Sequence, residues 1–159
     1  MEIETTRFGR IDMDDARMLY APEGLPGFEG LTRYALVSEE ESYPILWLQA
    51  ADDPDVALPV LDIFNILPDY AIDVEAEELS PLHDIGDGSL LVLCVVVIPE
   101  NISGMTANLA SPVLVNTETG RMKQIIRDER DLPMRRPIFA DIVKALEGGA
   151  ARAGADAQK

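Results

Sequence analysis

The chain lacks positive charge over most of its length. No lysine or arginine occurs in the 87 residues from 34 to 120, which carry sixteen Asp and Glu. The net charge of −16 therefore originates in the middle of the chain. Because this segment is also rich in Val, Ile and Leu, it does not have the composition of an acidic disordered tail. A folded acidic body favours a basic partner and disfavours nucleic acid, whose phosphates are neutralised mainly by Lys and Arg.

Residues that commonly carry catalysis or metal binding are also scarce. The chain has one cysteine and one histidine, which excludes an internal disulfide and a closed zinc site built on Cys and His. Cys94 lies within an apolar run, so we expect a core thiol rather than a nucleophile. We interpret His83 as a half-exposed residue near a turn, because no motif supplies it with a nucleophile. Phosphate-loop and dinucleotide fingerprints are absent, and we predict no catalytic residue and no cofactor.

Two carboxylate clusters keep a metal site open as an alternative. Asp52-Asp53-Pro54-Asp55 and Asp84-Ile85-Gly86-Asp87-Gly88 could supply oxygen ligands to a hard cation. Neither has the ligand alternation or the terminal Glu of the twelve-residue calcium loop. Aspartate beside proline or glycine is common in turns, where its side chain bonds local backbone groups. We therefore expect turns at both places and no bound metal.

Membrane and export signals are missing too. The longest apolar run, residues 90–98, is less than half of the roughly twenty residues that a membrane helix needs. The first residues contain neither the basic nor the apolar region of a secretory signal. We expect a cytoplasmic protein.

The pattern of prolines and β-branched residues predicts a mostly β fold. Eleven prolines are spread along the chain, which leaves room for many short strands and few long helices. Residues 90–98 are apolar on both faces and β-branched, which favours a central strand over a buried helix. Gly120, between the predicted strands 113–116 and 121–126, suits a position of positive φ in a hairpin turn. The predicted strands are 3–8, 18–20, 34–37, 45–48, 57–62, 90–98, 113–116 and 121–126.

Helix is expected in two places. Residues 75–83 could form a short helix, although Pro81 interrupts it. Residues 137–147 are the better candidate, because Pro137 suits a first helical position and apolar residues recur at a spacing of four. Gly148 and Gly149 are expected to end that helix. We predict one domain over residues 1–136, an amphipathic helix over 137–147 and a disordered tail over 148–159.

A series of short sequences along the chain has a familiar order. Its members are Thr6-Arg7-Phe8-Gly9, Pro22-Glu23-Gly24-Leu25-Pro26-Gly27-Phe28-Glu29, Leu46-Trp47-Leu48-Gln49, Asp52-Asp53-Pro54-Asp55, Pro68-Asp69-Tyr70, Ile98-Pro99-Glu100, Met105-Thr106-Ala107-Asn108-Leu109, Ser111-Pro112-Val113-Leu114-Val115-Asn116 and Leu132-Pro133-Met134-Arg135. In this order they resemble the FliW family of bacterial flagellar assembly factors. The resemblance covers about residues 3–127, is strongest at residues 105–109, and does not extend to the longer stretch 136–159.

The resemblance implies a compact, antiparallel β-barrel-like domain without enzymatic activity. It also implies two protein partners: flagellin before export, and CsrA, a small basic dimer that binds mRNA and represses translation. Members of the family are expected to antagonise CsrA non-competitively and to release it when flagellin accumulates. Within the matching motifs, we predict partner contacts at Asp69, Tyr70, Glu100, Met105 and Asn108.

Two other classes of function remain compatible with the sequence. An acidic module that mimics nucleic acid would bind a basic protein at its RNA surface and compete with RNA. A small β-barrel enzyme or metal-binding protein would instead use the carboxylate clusters. Competition kinetics separate the first class from non-competitive antagonism, and a metal assay tests the second.

Overall fold

A computed structural model describes residues 1–83, 89–128 and 130–150, with the side chains of residues 149 and 150 left out. The strands in these ranges are β1 (Glu2–Thr5), β2 (Gly9–Asp12), β3 (Leu19–Tyr20), β4 (Arg33–Ser38), β5 (Leu46–Ala50), β6 (Ala57–Asp62), β7 (Leu90–Val97), β8 (Thr106–Ala107), β9 (Val113–Asn116), β10 (Met122–Gln124) and β11 (Arg136–Pro137). The α-helices are α1 (Ile63–Ile66), α2 (Ala76–Leu79) and α3 (Phe139–Ala150), and short 3-10 turns occur at Asp15–Arg17, Glu40–Ser42, Ser80–Leu82 and Ile102–Gly104.

One antiparallel sheet forms the body of the protein. Its strand order is β10-β9-β7-β6-β5-β4-β3, and β8 and β11 add to the end of β7. β1 and β2 form a separate hairpin, attached to the body by a bond from Thr6 N to Pro54 O of 2.9 Å. The arrangement confirms the predicted mostly β, barrel-like fold.

A single bridge joins the two ends of the sheet. Tyr20 in β3 pairs in parallel with Arg121, and the N–H of Tyr20 donates to Gly120 O at 2.7 Å. Gly120 has the predicted positive φ, +77°, and a Cβ at this position would lie 2.5 Å from Met18 O. The sheet is barrel-like rather than fully closed, because the two end strands meet only at this seam.

Two apolar cores lie on opposite faces of the curved sheet. The inner core takes side chains from each strand of the path, from Leu19 in β3 to Met122 in β10, and Leu25 in the loop after β3 packs into it. The outer core lies between the other face and the helices, and it contains Cys94, Ile138 and Ile142. β7 contributes to both, with Leu93 facing one core and Cys94 the other, so the prediction that this strand is covered on both faces is confirmed.

Several predicted strands agree with the structure, and three strands, β2, β8 and β11, were missed. The strands predicted at 57–62 and 113–116 have those bounds, and the strand predicted at 90–98 ends one residue earlier. The single strand predicted at 3–8 is wrong, because the chain turns after Thr5. The Thr5 hydroxyl accepts from Phe8 N at 2.8 Å and donates to Gly9 O at 2.7 Å, and β2 then returns along β1.

The C-terminal helix differs from the expected one at both ends. Pro137 is not a first helical residue, since it pairs with Thr106 in β11, and α3 begins at Phe139. The helix continues through Gly148 and Gly149, so the predicted stop is wrong; Gly148 does not have the positive φ of a helix-ending glycine. Most of the predicted tail, residues 151–159, lies outside the described residues. None of the helices within the described ranges is long and apolar enough to cross a membrane.

Candidate protein-interaction surface

The Asp and Glu residues of segment 34–120, which has no Lys or Arg, lie on the surface. Asp84 and Asp87 fall outside the described residues; of the other fourteen, ten are exposed, four are half-buried and none is buried. Only Asp52 and Glu78 form ion pairs, with Arg33 and Arg127 respectively. The remaining twelve are accessible and have no basic partner within 4.0 Å in the described part of the chain, so the charge is available to a ligand.

Residues 69–79 concentrate this charge and are here named the acidic loop. The loop carries Asp69, Asp73, Glu75, Glu77 and Glu78, and it includes α2. Arg127, which follows β10, fastens it to the sheet. The guanidinium Nη1 donates to Glu78 Oε2 at 2.9 Å, and Nε and Nη2 donate to the carbonyl oxygen of Asp73 at 3.2 and 2.8 Å. One cation therefore holds an acidic segment in place and leaves most of its carboxylates facing solvent.

The electrostatics of Glu78 follow from that contact. Hydrogen bonding to Arg127 lowers the pKa of Glu78 to about 2, and the bond from the N–H of Glu75 to Glu78 Oε1, 3.0 Å, acts in the same direction. The same interaction raises the pKa of Arg127. The pair is therefore fully charged throughout the neutral range.

Two of the predicted contact residues meet at the base of the acidic loop. The hydroxyl of Tyr70 donates to Leu109 O at 2.8 Å, which joins the loop to the segment that follows β8. Tyr70 is buried, and its ring packs edge-on against Phe64 with centroids 5.8 Å apart. Asn108 is half-buried; its side chain accepts from Ala110 N at 3.0 Å and its own N–H donates to Val95 O at 2.9 Å. Tyr70 thus supports the acidic loop from below, and Asn108 orders the segment that the Tyr70 hydroxyl contacts.

The other three predicted contact residues are distributed differently. Asp69 is exposed in the turn after α1, and Glu100 is exposed at the tip of the β7–β8 hairpin. Met105 is buried in the outer core, and its carbonyl oxygen accepts from Ile138 N at 3.0 Å. Asp69 and Glu100 are accessible to a partner as they stand, whereas Tyr70 and Met105 are not.

The structure also has an exposed apolar surface, which the sequence did not indicate. α3 contacts both α1 and the turn Ile102–Gly104, and each of these elements carries a large apolar side chain that solvent reaches. Val97, at the end of β7, is 64% exposed, and Ile102 is 54% exposed. The members of this set, here named the apolar rim, are Phe64, Val97, Ile98, Ile102, Val143 and Leu146. Exposed apolar groups grouped in this way are typical of protein-binding surfaces.

The residues considered for chemistry occupy positions that do not favour it. Cys94 is fully buried, and burial raises the pKa of its thiol to about 12, so the reactive thiolate does not form near neutral pH. His83 is exposed at a positive φ of 64° after a 3-10 turn. In the cluster at 52–55, Asp52 pairs with Arg33 and the Asp53 carboxylate accepts from Asp55 N at 3.0 Å, so these side chains serve local contacts. No group of three or more Asp, Glu, His or Cys in the described ranges could hold a metal ion.

Several of the sequence motifs contact one another in the fold. The guanidinium of Arg7 lies 4.0 Å from the centroid of the Trp47 ring, and Phe8 meets the same ring edge-on at 6.2 Å. Trp47 Nε1 donates to Ser42 Oγ at 3.1 Å. These motifs thus fix the β1–β2 hairpin on the sheet rather than form a pocket.

Comparison with known proteins agrees with this architecture. The family model described as FliW protein matches residues 2–138, which leaves α3 beyond the matched region. The "Flagellar assembly factor FliW" of Caldanaerobacter subterraneus subsp. tengcongensis is 40% identical over 147 residues, covering 91% of this chain and 97% of the relative. That of Lachnospira eligens is 36% identical over 151 residues, covering 92% and 99%.

A solved structure supports the fold independently. The crystal structure of a flagellar assembly factor FliW superposes with a TM-score of 0.79, covering 87% of this chain and 97% of that chain at 23% identity. Residues 2–138, which the family model matches, contain the sheet, the seam and the acidic loop. On the family model and the curated relatives together, this chain belongs to the FliW family.

Proposed function

We propose that this protein is a cytoplasmic flagellar assembly factor that binds flagellin before export and captures the translational regulator CsrA when flagellin is scarce. The observation that carries the proposal is the surface of twelve accessible carboxylates without basic partners, in a member of the FliW family. A basic RNA-binding dimer is the kind of ligand that such a surface attracts.

The acidic surface would act on CsrA in two ways. Its field would steer the basic dimer and raise the association rate by roughly tenfold to a thousandfold at low salt. After docking, it would repel RNA phosphates within a Debye length, about 8 Å at physiological ionic strength. Antagonism of RNA binding then requires neither overlap with the RNA surface nor a large conformational change. The acidic loop is the centre of this surface, because Arg127 fixes its geometry.

Flagellin requires a different kind of contact, since charge alone does not select it. We assign to flagellin the apolar rim, with Asp69 and Glu100 as accessible polar residues nearby in the chain. An exposed apolar surface of this kind suits an amphipathic helix, which presents its apolar residues at a spacing of three and four. Because the rim and the acidic loop meet at α1 and the turn that follows it, one partner bound there would hinder the other.

A three-component binding experiment tests the function. Fluorescent RNA carrying a CsrA site is bound to CsrA, and this protein is added in increasing amounts, with and without purified flagellin. The proposal predicts that RNA affinity falls to a plateau as the protein saturates CsrA, and that flagellin restores RNA binding. Apparent RNA affinity that falls without limit would identify a nucleic-acid mimic instead. Absence of binding to both proteins would exclude the proposed function.

Two of the five predicted contact residues, Asp69 and Glu100, supply variants for the same experiment. Asp69→Asn and Glu100→Gln change accessible groups and leave the core intact. Glu2→Gln is the control, because Glu2 is exposed in β1 and does not belong to the acidic segment 34–120. The proposal predicts that the first two variants weaken binding of at least one partner by several-fold and that the control does not.

A further inference from the structure

The seam of the sheet opens into a cleft with a volume of about 320 Å³. The loop after β3 forms one wall, Pro81 lies at the edge, and β10 forms the other wall. The lining residues are Pro22, Glu23, Gly24, Pro26, Glu29, Pro81, Arg121, Met122, Lys123 and Gln124. The cleft begins where β3 and β10, joined at Tyr20 and Arg121, separate.

The backbone of β10 presents unused hydrogen-bonding groups to this cleft. In the β9–β10 pair, Asn116 N donates to Arg121 O at 2.8 Å and Ile125 N donates to Pro112 O at 3.0 Å. In an antiparallel pair, hydrogen-bonded and non-hydrogen-bonded positions alternate, so Met122 and Gln124 hold the non-hydrogen-bonded positions. Their N–H and C=O groups therefore point away from β9, toward β3 and the cleft. The parallel bridge between Tyr20 and Arg121 uses the N–H of Met122, so the groups left for the cleft are the carbonyl of Met122 and the N–H and carbonyl of Gln124. Apart from the bridge at Tyr20, no strand in the described ranges pairs with this edge.

The side chains along the same edge define a charge preference. Met122 is buried in the inner core, so alternation places Arg121 and Lys123 on the outer face of β10. Both are half-buried, and neither lies within 4.0 Å of a carboxylate in the described part of the chain. Glu23 and Glu29 line the cleft without pairing with them at that distance. The guanidinium of Arg121 lies 5.8 Å from the centroid of the Tyr20 ring, and Lys123, after Arg127, contributes to lowering the pKa of Glu78, so neither cation has a close carboxylate among the described residues that a ligand must displace.

We propose that the seam cleft binds an extended segment of a protein partner, which adds as a strand to the outer edge of β10 and places acidic side chains beside Arg121 and Lys123. Main-chain bonds to Met122 and Gln124 would supply affinity, and the two cations would supply selectivity, as in other cases of strand addition. An added strand places every second side chain on the outer face, next to those of β10, at the 4.5–5.5 Å Cβ separation at which opposite charges attract. The preferred segment therefore carries Asp or Glu at two positions separated by one residue.

This site is distinct from the acidic surface assigned to CsrA and from the apolar rim. The seam cleft prefers an acidic ligand, whereas CsrA is basic. The cleft can therefore bind its ligand whether or not the proposed function is correct.

The probe for this site is an N-acetylated, C-amidated peptide of sequence TVDVDVT, whose two acids alternate with apolar residues. It is titrated into the ¹⁵N-labelled full chain at near-physiological salt, with the charge-reversed peptide TVKVKVT as the control ligand. The amide signals of Met122 and Gln124 are expected to shift with the acidic peptide, and the hydrogen exchange of the Gln124 N–H is expected to slow. No change at these two amides at several millimolar peptide, a concentration that detects even weak binding, overturns the proposal. Equal shifts there with the basic peptide overturn it too.

Two variants separate strand addition from unspecific contact. Gln124→Pro removes the outward N–H and leaves the bonds to β9 in place, which is the one arrangement in which an edge strand tolerates proline. Gln124→Ala is its matched control, because both variants lose the side-chain bond to Ser111 O, 2.8 Å, and only the proline variant loses the N–H. We expect the affinity for the acidic peptide to be at least tenfold lower in Gln124→Pro than in Gln124→Ala. The two variants should have similar melting temperatures.

The double variant Arg121→Gln/Lys123→Gln provides a test that does not rely on proline. It retains every backbone group and removes both cations, and we expect it to abolish the preference for TVDVDVT over TVKVKVT at the two amides. If the preference persists, the cations do not select the ligand and the proposal is wrong.

Discussion

The N–H of Tyr20 donates to the carbonyl oxygen of Gly120 at 2.7 Å, and this bond joins the first and last strands of the sheet path. The close approach depends on glycine at position 120, whose φ is +77° and whose Cβ, if present, would lie 2.5 Å from Met18 O. The seam also bounds the cleft beside β10, so the geometry of one residue affects both the barrel and a candidate binding site.

Gly120→Ala is expected to destabilise the fold by at least about 2 kcal/mol, because it combines a left-handed backbone with a backbone clash. Gly9→Ala is the matched control. Gly9 has φ of +71°, and a Cβ added there would meet no atom within 4 Å, so the substitution should cost about 1 kcal/mol from backbone strain alone. Urea unfolding of both variants measures the difference. Equal destabilisation would show that the seam does not require close approach at Gly120.

The Arg127–Glu78 pair predicts a specific pH dependence. The folded-state pKa of Glu78 lies well below its ordinary value, so the pair stabilises the protein fully above about pH 4.5 and loses this contribution as the pH falls toward about 2. The stability gap between the wild type and Arg127→Gln should be largest at neutral pH and should narrow over that range. Arg135→Gln serves as the control, because Arg135 is exposed and has no carboxylate within 4.0 Å in the described part of the chain. A gap that is independent of pH would remove the electrostatic role of the pair.

The Cys94 thiol should resist labelling in the folded protein. Because burial raises its pKa to about 12, the rate of reaction with a disulfide reagent should stay low from pH 7 to pH 9 and should rise only in denaturant. Cys94→Ser should also cost about 1–3 kcal/mol more than Cys94→Ala, since it buries a hydroxyl in the outer core. Rapid labelling of the native protein would contradict the burial of this residue.

Tyr70→Phe tests whether Tyr70 contacts a partner or supports the acidic loop from below. The substitution removes the bond to Leu109 O and leaves that buried region with one fewer donor, so we expect a loss of about 1 kcal/mol in unfolding free energy. Affinities for CsrA and flagellin should change by less than about twofold. A large loss of affinity at unchanged stability would instead make the hydroxyl a direct contact.

Neutralising the acidic loop should slow association with CsrA more than neutralising acids elsewhere. The triple variant Asp69→Asn/Asp73→Asn/Glu77→Gln removes three charges from one exposed segment. The matched variant Glu2→Gln/Glu118→Gln/Glu147→Gln removes three exposed charges from separate regions and gives the same net charge. Stopped-flow association rates should fall at least threefold further in the first variant. Equal rates would show that only net charge matters.

The strands that could be predicted are those whose pattern is local. β6 and β9 have the predicted bounds, because their β-branched and apolar residues are flanked by turn residues. β7 was recognisable as a central strand, since it is apolar on both faces. Gly120 could be placed at positive φ because a turn-forming sequence surrounds it.

The missed elements depend on contacts that are distant in sequence. β8 and β11 are two residues long; β11 exists because it pairs with β8, and β8 because it also pairs with β7. Pro137 has the local signature of a helix start, but its pairing with Thr106 prevails. β2 has one partner and a mostly exposed sequence, so no apolar pattern marks it.

The candidate surface was predictable in charge but not in arrangement. The excess of acids is visible in the sequence, whereas the clamp of Arg127 on Glu78 joins residues 49 positions apart. Among the predicted contact residues, burial of Tyr70 and Met105 could not be inferred from their motifs, because a tyrosine or methionine at a strand end suits either a core or a surface. The apolar rim was missed because it is assembled from α1, the β7–β8 hairpin and α3.

The central claim, that a patterned acidic surface captures a basic regulator, is tested most directly by the salt dependence of CsrA binding. The dissociation constant should be measured by calorimetry from about 0.05 to 0.5 M sodium chloride, a range over which the Debye length shortens by roughly threefold. Electrostatic capture predicts that affinity weakens at least tenfold across this range, mostly through a slower association rate. An affinity that stays constant with salt would contradict it.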